Sequence, residues 1–213
     1  MVPTRVLLQR KGTIGFVGLG AMGRGMSANL LSKTFANREG VYEPNKDKPV
    51  FAIYDAYQPA VDSFLNEHVR SYAGRDILPS SSPAGLVKHA STIFTMLPSS
   101  PQVEEVYLGE NGLLEGLKEL SEQDRQDTLF VDCTTLDPGV AKEVSKLMQQ
   151  AGAGMIDAPV SGGQSTPHST VNRLVLTLTS AGVVGAEAGT LSFMCGGPEE
   201  SSVLPLISTR PNF

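Results

Sequence analysis

Gly18, Gly20 and Gly23 carry the most specific chemistry in this chain. In Gly18-Leu19-Gly20-Ala21-Met22-Gly23 the first glycine permits a tight turn, the second lets the backbone come against a pyrophosphate, and the third lets a helix pack closely on a strand. The pattern follows the apolar run Thr13–Val17. It opens a segment, Ala21–Ser32, with Met22, Met26, Leu30 and Leu31 at helical spacing. Phosphates would therefore sit on a helix N-terminus, where unpaired N–H groups and the helix dipole favour negative charge. A carboxylate that accepts from an adenosine ribose 2′-OH belongs about 20 residues further on. Asp55, closing the apolar run Val50–Tyr54, is best placed to supply it, with the polar connection 33–48 as the extra length. A carboxylate there would repel a 2′-phosphate, so Asp55 favours NAD over NADP. Arg24, Arg38, Lys46 or Lys48 could still reach such a phosphate from nearby loops.

Other chemistries find little support. Cys133 and Cys195 cannot form a disulfide framework or a closed zinc site, and each reads as a small buried hydrophobe in a reducing compartment. His68, His89 and His168 belong to no motif, so no metal site is expected. A net charge of −5 and a pI near 5.2 argue against a nucleic-acid partner. No apolar run approaches the ~18 residues of a membrane span, so no membrane partner is expected. Arg5, Arg10 and Lys11 precede the first acidic residue, Glu39, without forming a clear targeting segment. The expected setting is cytoplasmic or mitochondrial.

Positioning the glycine turn requires a sheet, and 213 residues at 40% hydrophobic and 18% charged can bury the core of one. Helix-start chemistry stands at Gln58-Pro59 and Ser82-Pro83, and apolar strands are expected at Thr92–Met96 and Thr128–Asp132. Short helices are expected over 102–113 and 114–120. Asp137-Pro138 should cap a helix whose apolar face is Val140, Val144, Leu147 and Met148 and which ends at Ala151-Gly152. Met155-Ile156 and Leu191–Cys195 complete the strands. Strands alternating with helices imply an α/β Rossmann-type fold: a doubly wound, mostly parallel sheet with helices on both faces.

Four segments in order, Gly18–Leu30, Thr95-Met-Leu-Pro-Ser99, Asp132-Cys-Thr-Thr135 and Asp157-Ala-Pro-Val-Ser-Gly-Gly163, closely resemble the β-hydroxyacid dehydrogenases, above all the 3-hydroxyisobutyrate dehydrogenase branch. The resemblance runs from about Thr13 to about Glu200. The same domain serves 6-phosphogluconate dehydrogenase, where the position of Gly20 is usually alanine. By resemblance, Gly18 to Gly23, Asp55 and Met96 bind NAD or NADP, Leu97 and Pro98 line the adenosine side with Gln102 nearby, and Thr135 meets the nicotinamide ribose. Ser161, Gly162 and Gly163 would hold a substrate carboxylate, since such a turn offers donors with no side chains in the way. The implied substrate is a small 3-hydroxy acid or aldehyde, and the intact family forms homo-oligomers.

The resemblance also implies a catalytic lysine on a second, helical domain, which would lie beyond Phe213. Lys142 and Lys146, on the polar side of a capped helix, are poor substitutes. The expected organisation is a tail over 1–12, the nucleotide domain over 13–200 and a truncated tail over 201–213. Against the resembling family, residues 164–182 stand as a 19-residue insertion, and codons able to encode its ends can spell splice sites, so a retained intron is the expected origin. The expected function is a cofactor-binding form of such a dehydrogenase with little activity by itself. The alternatives are a non-catalytic NAD(P)-binding module and a cut glyoxylate or succinic semialdehyde reductase.

Overall fold

Six short apolar segments form one parallel sheet in the computed structural model, which describes residues 13–36, 51–68, 77–161 and 181–193. The strands are β1 (Ile14–Val17), β2 (Phe51–Tyr54), β3 (Ile77–Pro79), β4 (Thr92–Thr95), β5 (Leu129–Asp132) and β6 (Gly154–Asp157), in the order β3-β2-β1-β4-β5-β6. The helices are α1 (Ala21–Ala36), α2 (Gln58–His68), α3 (Pro83–Val87), α4 (Ser100–Leu108), α5 (Leu113–Lys118), α6 (Glu122–Gln126), α7 (Pro138–Gln150) and α8 (Ala181–Ala188). A separate antiparallel pair joins β7 (Val160–Ser161) to β8 (Ser192–Phe193).

Alternation along each strand divides the interior into two cores. Ile14 and Phe16, Phe51 and Ile53, Phe94, Val131 and Ile156 face one side, packed with Met26, Leu31, Val61, Phe64 and Ala186 of α1, α2 and α8. Val17, Ala52, Ile93, Phe130 and Met155 face the other, packed with side chains of α3, α4, α5 and α7. Strands buried on both faces read as continuous apolar runs, which is why periodicity finds them. The register places Tyr54, Val17, Thr95, Asp132 and Asp157 in one row at the C-terminal edge.

The expected doubly wound parallel fold is the observed one, with several boundaries moved. α1 continues to Ala36, past the expected end at Ser32, because no Gly or Pro interrupts Lys33-Thr-Phe-Ala36. The helix expected over 102–113 runs over 100–108 instead. Ser99 and Pro101 stand at its start, and Gly109 with the left-handed Asn111 (φ 56°) breaks it. The three-residue β3 and the five-residue α6 are too short to show a period and were not anticipated. Asp137 caps α7 as expected, its carboxylate accepting from Gly139 N at 2.8 Å and Val140 N at 3.4 Å. Ala181 and Gly182, assigned by sequence to the insertion, begin α8. The remainder of that segment and both tails lie outside the described residues.

Candidate functional site

The chain turns from β1 into α1 at Gly18, whose N–H donates to Tyr54 O at 2.9 Å and whose φ is +97°. A Cβ there would stand 2.1 Å from Met96 O, so both conformation and packing demand glycine. At Gly23 a Cβ would stand 1.9 Å from Gly18 O, so the third glycine lets α1 lie on the turn. Gly20 differs: a Cβ added there meets nothing within 4 Å. The protein's own packing does not require glycine at position 20, whereas a diphosphate laid against the backbone would. That open position, beside a helix whose first turn carries no acidic residue, is where the residues present fit a dinucleotide.

The turn opens into a cleft of about 600 Å³ at the C-terminal edge, within the range of small-molecule sites. Gly18, Gly20, Ala21, Met22 and Gly23 line one wall and Met96, Leu97, Pro98 and Gln102 the other, while Asp55 stands at one end. The position, where β1 is flanked by β2 on one side and β4 on the other, is the topological switch point of the sheet. Leu19 turns its side chain into the core and gives only its backbone to the turn. Ser99 Oγ donates to Gln102 Oε1 at 2.5 Å.

Asp55 has a structural task as well as a position. Its Oδ2 accepts from Leu19 N at 2.6 Å and its Oδ1 from Tyr57 N at 2.8 Å, tying the end of β2 to the glycine turn and to the start of α2. Each oxygen keeps a second lone pair for a ribose hydroxyl. Glu105 and Glu110 also line the cleft, and no basic residue does among the described residues. Burial, then the charges of Asp55 and Glu105, pushes the Tyr54 hydroxyl above its usual range. Arg24, one candidate for a 2′-phosphate, bonds Glu67 and reaches Ser63 Oγ at 3.1 Å. Arg38, Lys46 and Lys48 lie outside the described residues.

The remaining sequence candidates are more scattered. Thr135 is exposed and is not among the cleft-lining residues; its neighbour Thr134 is the buried one. Ser161 sits on β7, exposed and apart from the cleft lining, while Gly162 and Gly163 lie outside the described residues. Cys133 is fully buried in the core, as its type suggested, and Cys195 lies outside the described residues. The His68 ring lies tilted against Phe64, centroids 4.4 Å apart, and neither it nor His89 lines the cleft; His168 lies outside the described residues.

Sequence reasoning did not find the polar cluster beneath the cleft. Thr95 Oγ1 donates to Asp132 Oδ1 at 2.9 Å and pairs with Tyr107 Oη at 2.9 Å, all fully buried. Thr134 N donates to the same Oδ1 at 3.1 Å, and Thr134 Oγ1 accepts from Leu97 N at 3.0 Å. Burial pushes the Asp132 carboxyl above its usual range against these hydroxyl and amide donors, with the charge of Asp157 adding to the rise. The only signal in the sequence was two polar residues, Thr95 and Asp132, each closing an apolar strand.

A family model described as the NAD binding domain of 6-phosphogluconate dehydrogenase matches residues 13–171. The mitochondrial 3-hydroxyisobutyrate dehydrogenase of Bos taurus is 34% identical over 190 residues, which cover 89% of this chain and 42% of that protein. The NAD-dependent L-serine dehydrogenase of Pseudomonas aeruginosa is 32% identical over 200 residues, covering 94% and 50%. A solved 3-hydroxyisobutyrate dehydrogenase of Mycobacterium tuberculosis with L-serine matches with a TM-score of 0.59 at 29% identity, over 94% of this chain and 50% of that one. The chain spans about half the length of the relatives it matches.

Proposed function

Because the chain belongs to the β-hydroxyacid dehydrogenase family, with the NAD(P)-binding domain that family shares with 6-phosphogluconate dehydrogenase, we propose that it holds NAD for hydride exchange with a small 3-hydroxy acid. The open space at Gly20 carries this reading, since the fold leaves room where a diphosphate would lie and nowhere requires that room for itself. When bound, the nicotinamide supplies the hydride acceptor. The chain's own residues do the holding: α1 presents its first N–H groups to the phosphates, Asp55 accepts from a ribose hydroxyl, and Met96 to Pro98 with Gln102 bound the opposite wall. Thr135, and Ser161 with Gly162 and Gly163, retain the ribose and substrate-carboxylate roles that the resemblance implies.

Three carboxylates, Asp55, Glu105 and Glu110, line the cleft without a basic partner among the described residues, and they support NAD over NADP. The substrates in the relatives' names, 3-hydroxyisobutyrate and L-serine, both have a primary alcohol one carbon away from the carbon bearing the carboxylate, which supports the same class here. No lysine or histidine lines the cleft among the described residues. General acid–base help typically supplies 10² to 10⁴ in rate, and it is expected from a part of such enzymes outside these elements. Among the described residues no helix is long and apolar enough to cross a membrane. Relatives named as mitochondrial exist in cattle and in Dictyostelium discoideum, and a mitochondrial or cytoplasmic setting is the corresponding proposal.

Fluorescence titration with NADH and NADPH tests the cofactor reading. NADH is expected to bind at least tenfold more tightly, and Asp55→Asn should narrow that ratio by removing the charge. Failure to bind either nucleotide sinks the proposal, and tighter NADPH binding sinks its NAD part. With NAD and 3-hydroxyisobutyrate, the 213-residue chain is expected to form little NADH by itself. Family-like turnover would place the acid–base group within it.

A further inference from the structure

Strand β4 leaves the sheet at the cleft. Met96 N makes the last ladder bond, to Val17 O at 2.9 Å, and Pro98 has no N–H to offer. Between them Leu97 N is the one donor able to anchor the segment Met96–Pro98, and it goes to Thr134 Oγ1 at 3.0 Å. Thr134 is itself held by Asp132, whose Oδ1 accepts from Thr134 N at 3.1 Å. Asp132 is held in turn by Thr134 N and Thr95 Oγ1, and Thr95 by Tyr107 on α4. The chain of bonds joins the ends of β4 and β5 to α4, with Thr134, Asp132, Thr95 and Tyr107 buried and Leu97 half-buried, where an orphaned donor is costly. Leu97 also reaches the glycine turn, since a Cβ on Gly18 would lie 2.1 Å from Met96 O and 3.3 Å from Leu97 Cδ2. A shift at Leu97 would therefore disturb both walls of the cleft.

We propose that Thr134, oriented by buried Asp132, is a positioning residue for cofactor binding: its hydroxyl holds Leu97 N–H and so sets the Met96–Pro98 wall against the glycine turn. The inference rests on the cofactor reading above. It is tested by NADH titration of the wild-type chain, Thr134→Val and Thr134→Ser, with the ligand-free melting temperature and the hydrogen exchange of the Leu97 amide measured alongside. Valine keeps the shape and removes the acceptor, so affinity should fall about tenfold. The Leu97 amide should exchange faster while amides of β1 and β5 keep their protection. Serine restores the hydroxyl and should recover affinity to within about threefold of wild type. Undiminished affinity in Thr134→Val, or equal losses in the valine and serine variants, overturns the inference and leaves the cofactor reading standing. Absence of NADH binding by the wild-type chain overturns both. Should Thr134→Val fail to fold, the wild-type Leu97 amide decides: slow exchange with near-native affinity in Thr134→Ser supports the assignment, and exchange at an unprotected rate overturns it.

Discussion

Gly18, Gly20 and Gly23 are one residue type under different demands, and substitution to alanine separates them. Gly18→Ala places a side chain at φ +97° and 2.1 Å from Met96 O, which should cost about 3 kcal/mol or more of stability. Gly23→Ala, 1.9 Å from Gly18 O, should cost about 1–3 kcal/mol through overpacking. Gly20→Ala meets no protein atom, so the melting temperature should hold or rise slightly while NADH affinity falls several-fold. Thermal melts beside titrations check all three, and an unchanged affinity in Gly20→Ala would argue that the open space serves no diphosphate. At this scale the glycines were legible because their spacing reports backbone geometry directly. The double duty of Asp55 was not, because its bond to Leu19 N joins residues 36 positions apart.

Elements bring together side chains that no local pattern relates. Thr95, Asp132 and Asp157 share a row because β4, β5 and β6 pair in register. Burial raises the Asp132 carboxyl above its ordinary value of 3.8, so the folded state holds its proton to higher pH than the unfolded chain does. Its contribution to stability is therefore present in full below about pH 3.8 and lost as pH rises through the folded-state value. Asp132→Asn cannot titrate, and the difference in melting temperature, variant minus wild type, should move in the variant's favour from pH 3.5 to 7. The subtraction cancels His68 and His89, and a difference that stays flat would contradict the assignment. The α1–α8 contact offers a second test. Asn29 Nδ2 donates to Ala186 O at 2.7 Å and Glu187 O at 3.1 Å, and Gly25 admits the α8 backbone. Asn29→Ala should cost about 1–3 kcal/mol and open α8 to limited proteolysis, without changing NADH affinity by more than about twofold.

Across the whole molecule, a sheet buried on both faces leaves its C-terminal edge as the place where backbone donors meet open space. A ligand held there binds only the folded chain, so NADH at about 100 times its Kd should add ~2.7 kcal/mol to stability, read as a rise of several degrees in melting temperature. No rise at saturating nucleotide would contradict the site. The sequence by itself determined the parallel alternation, the strand–turn–helix around Gly18, the Asp137 cap and the family, because these depend on periods and spacings within short stretches. It also marked Met96, Leu97, Pro98 and Gln102, which the structure brings to the cleft, and Thr135 and Ser161, which it leaves outside the lining. Only the tertiary structure decided that Gly20, of the three turn glycines, faces open space, that Asp55 braces the turn, and that the Thr134 hydroxyl anchors Leu97 N beside the buried Asp132. Those facts rest on contacts between segments about 36 residues apart, where strand register sets each distance and no local spacing records it.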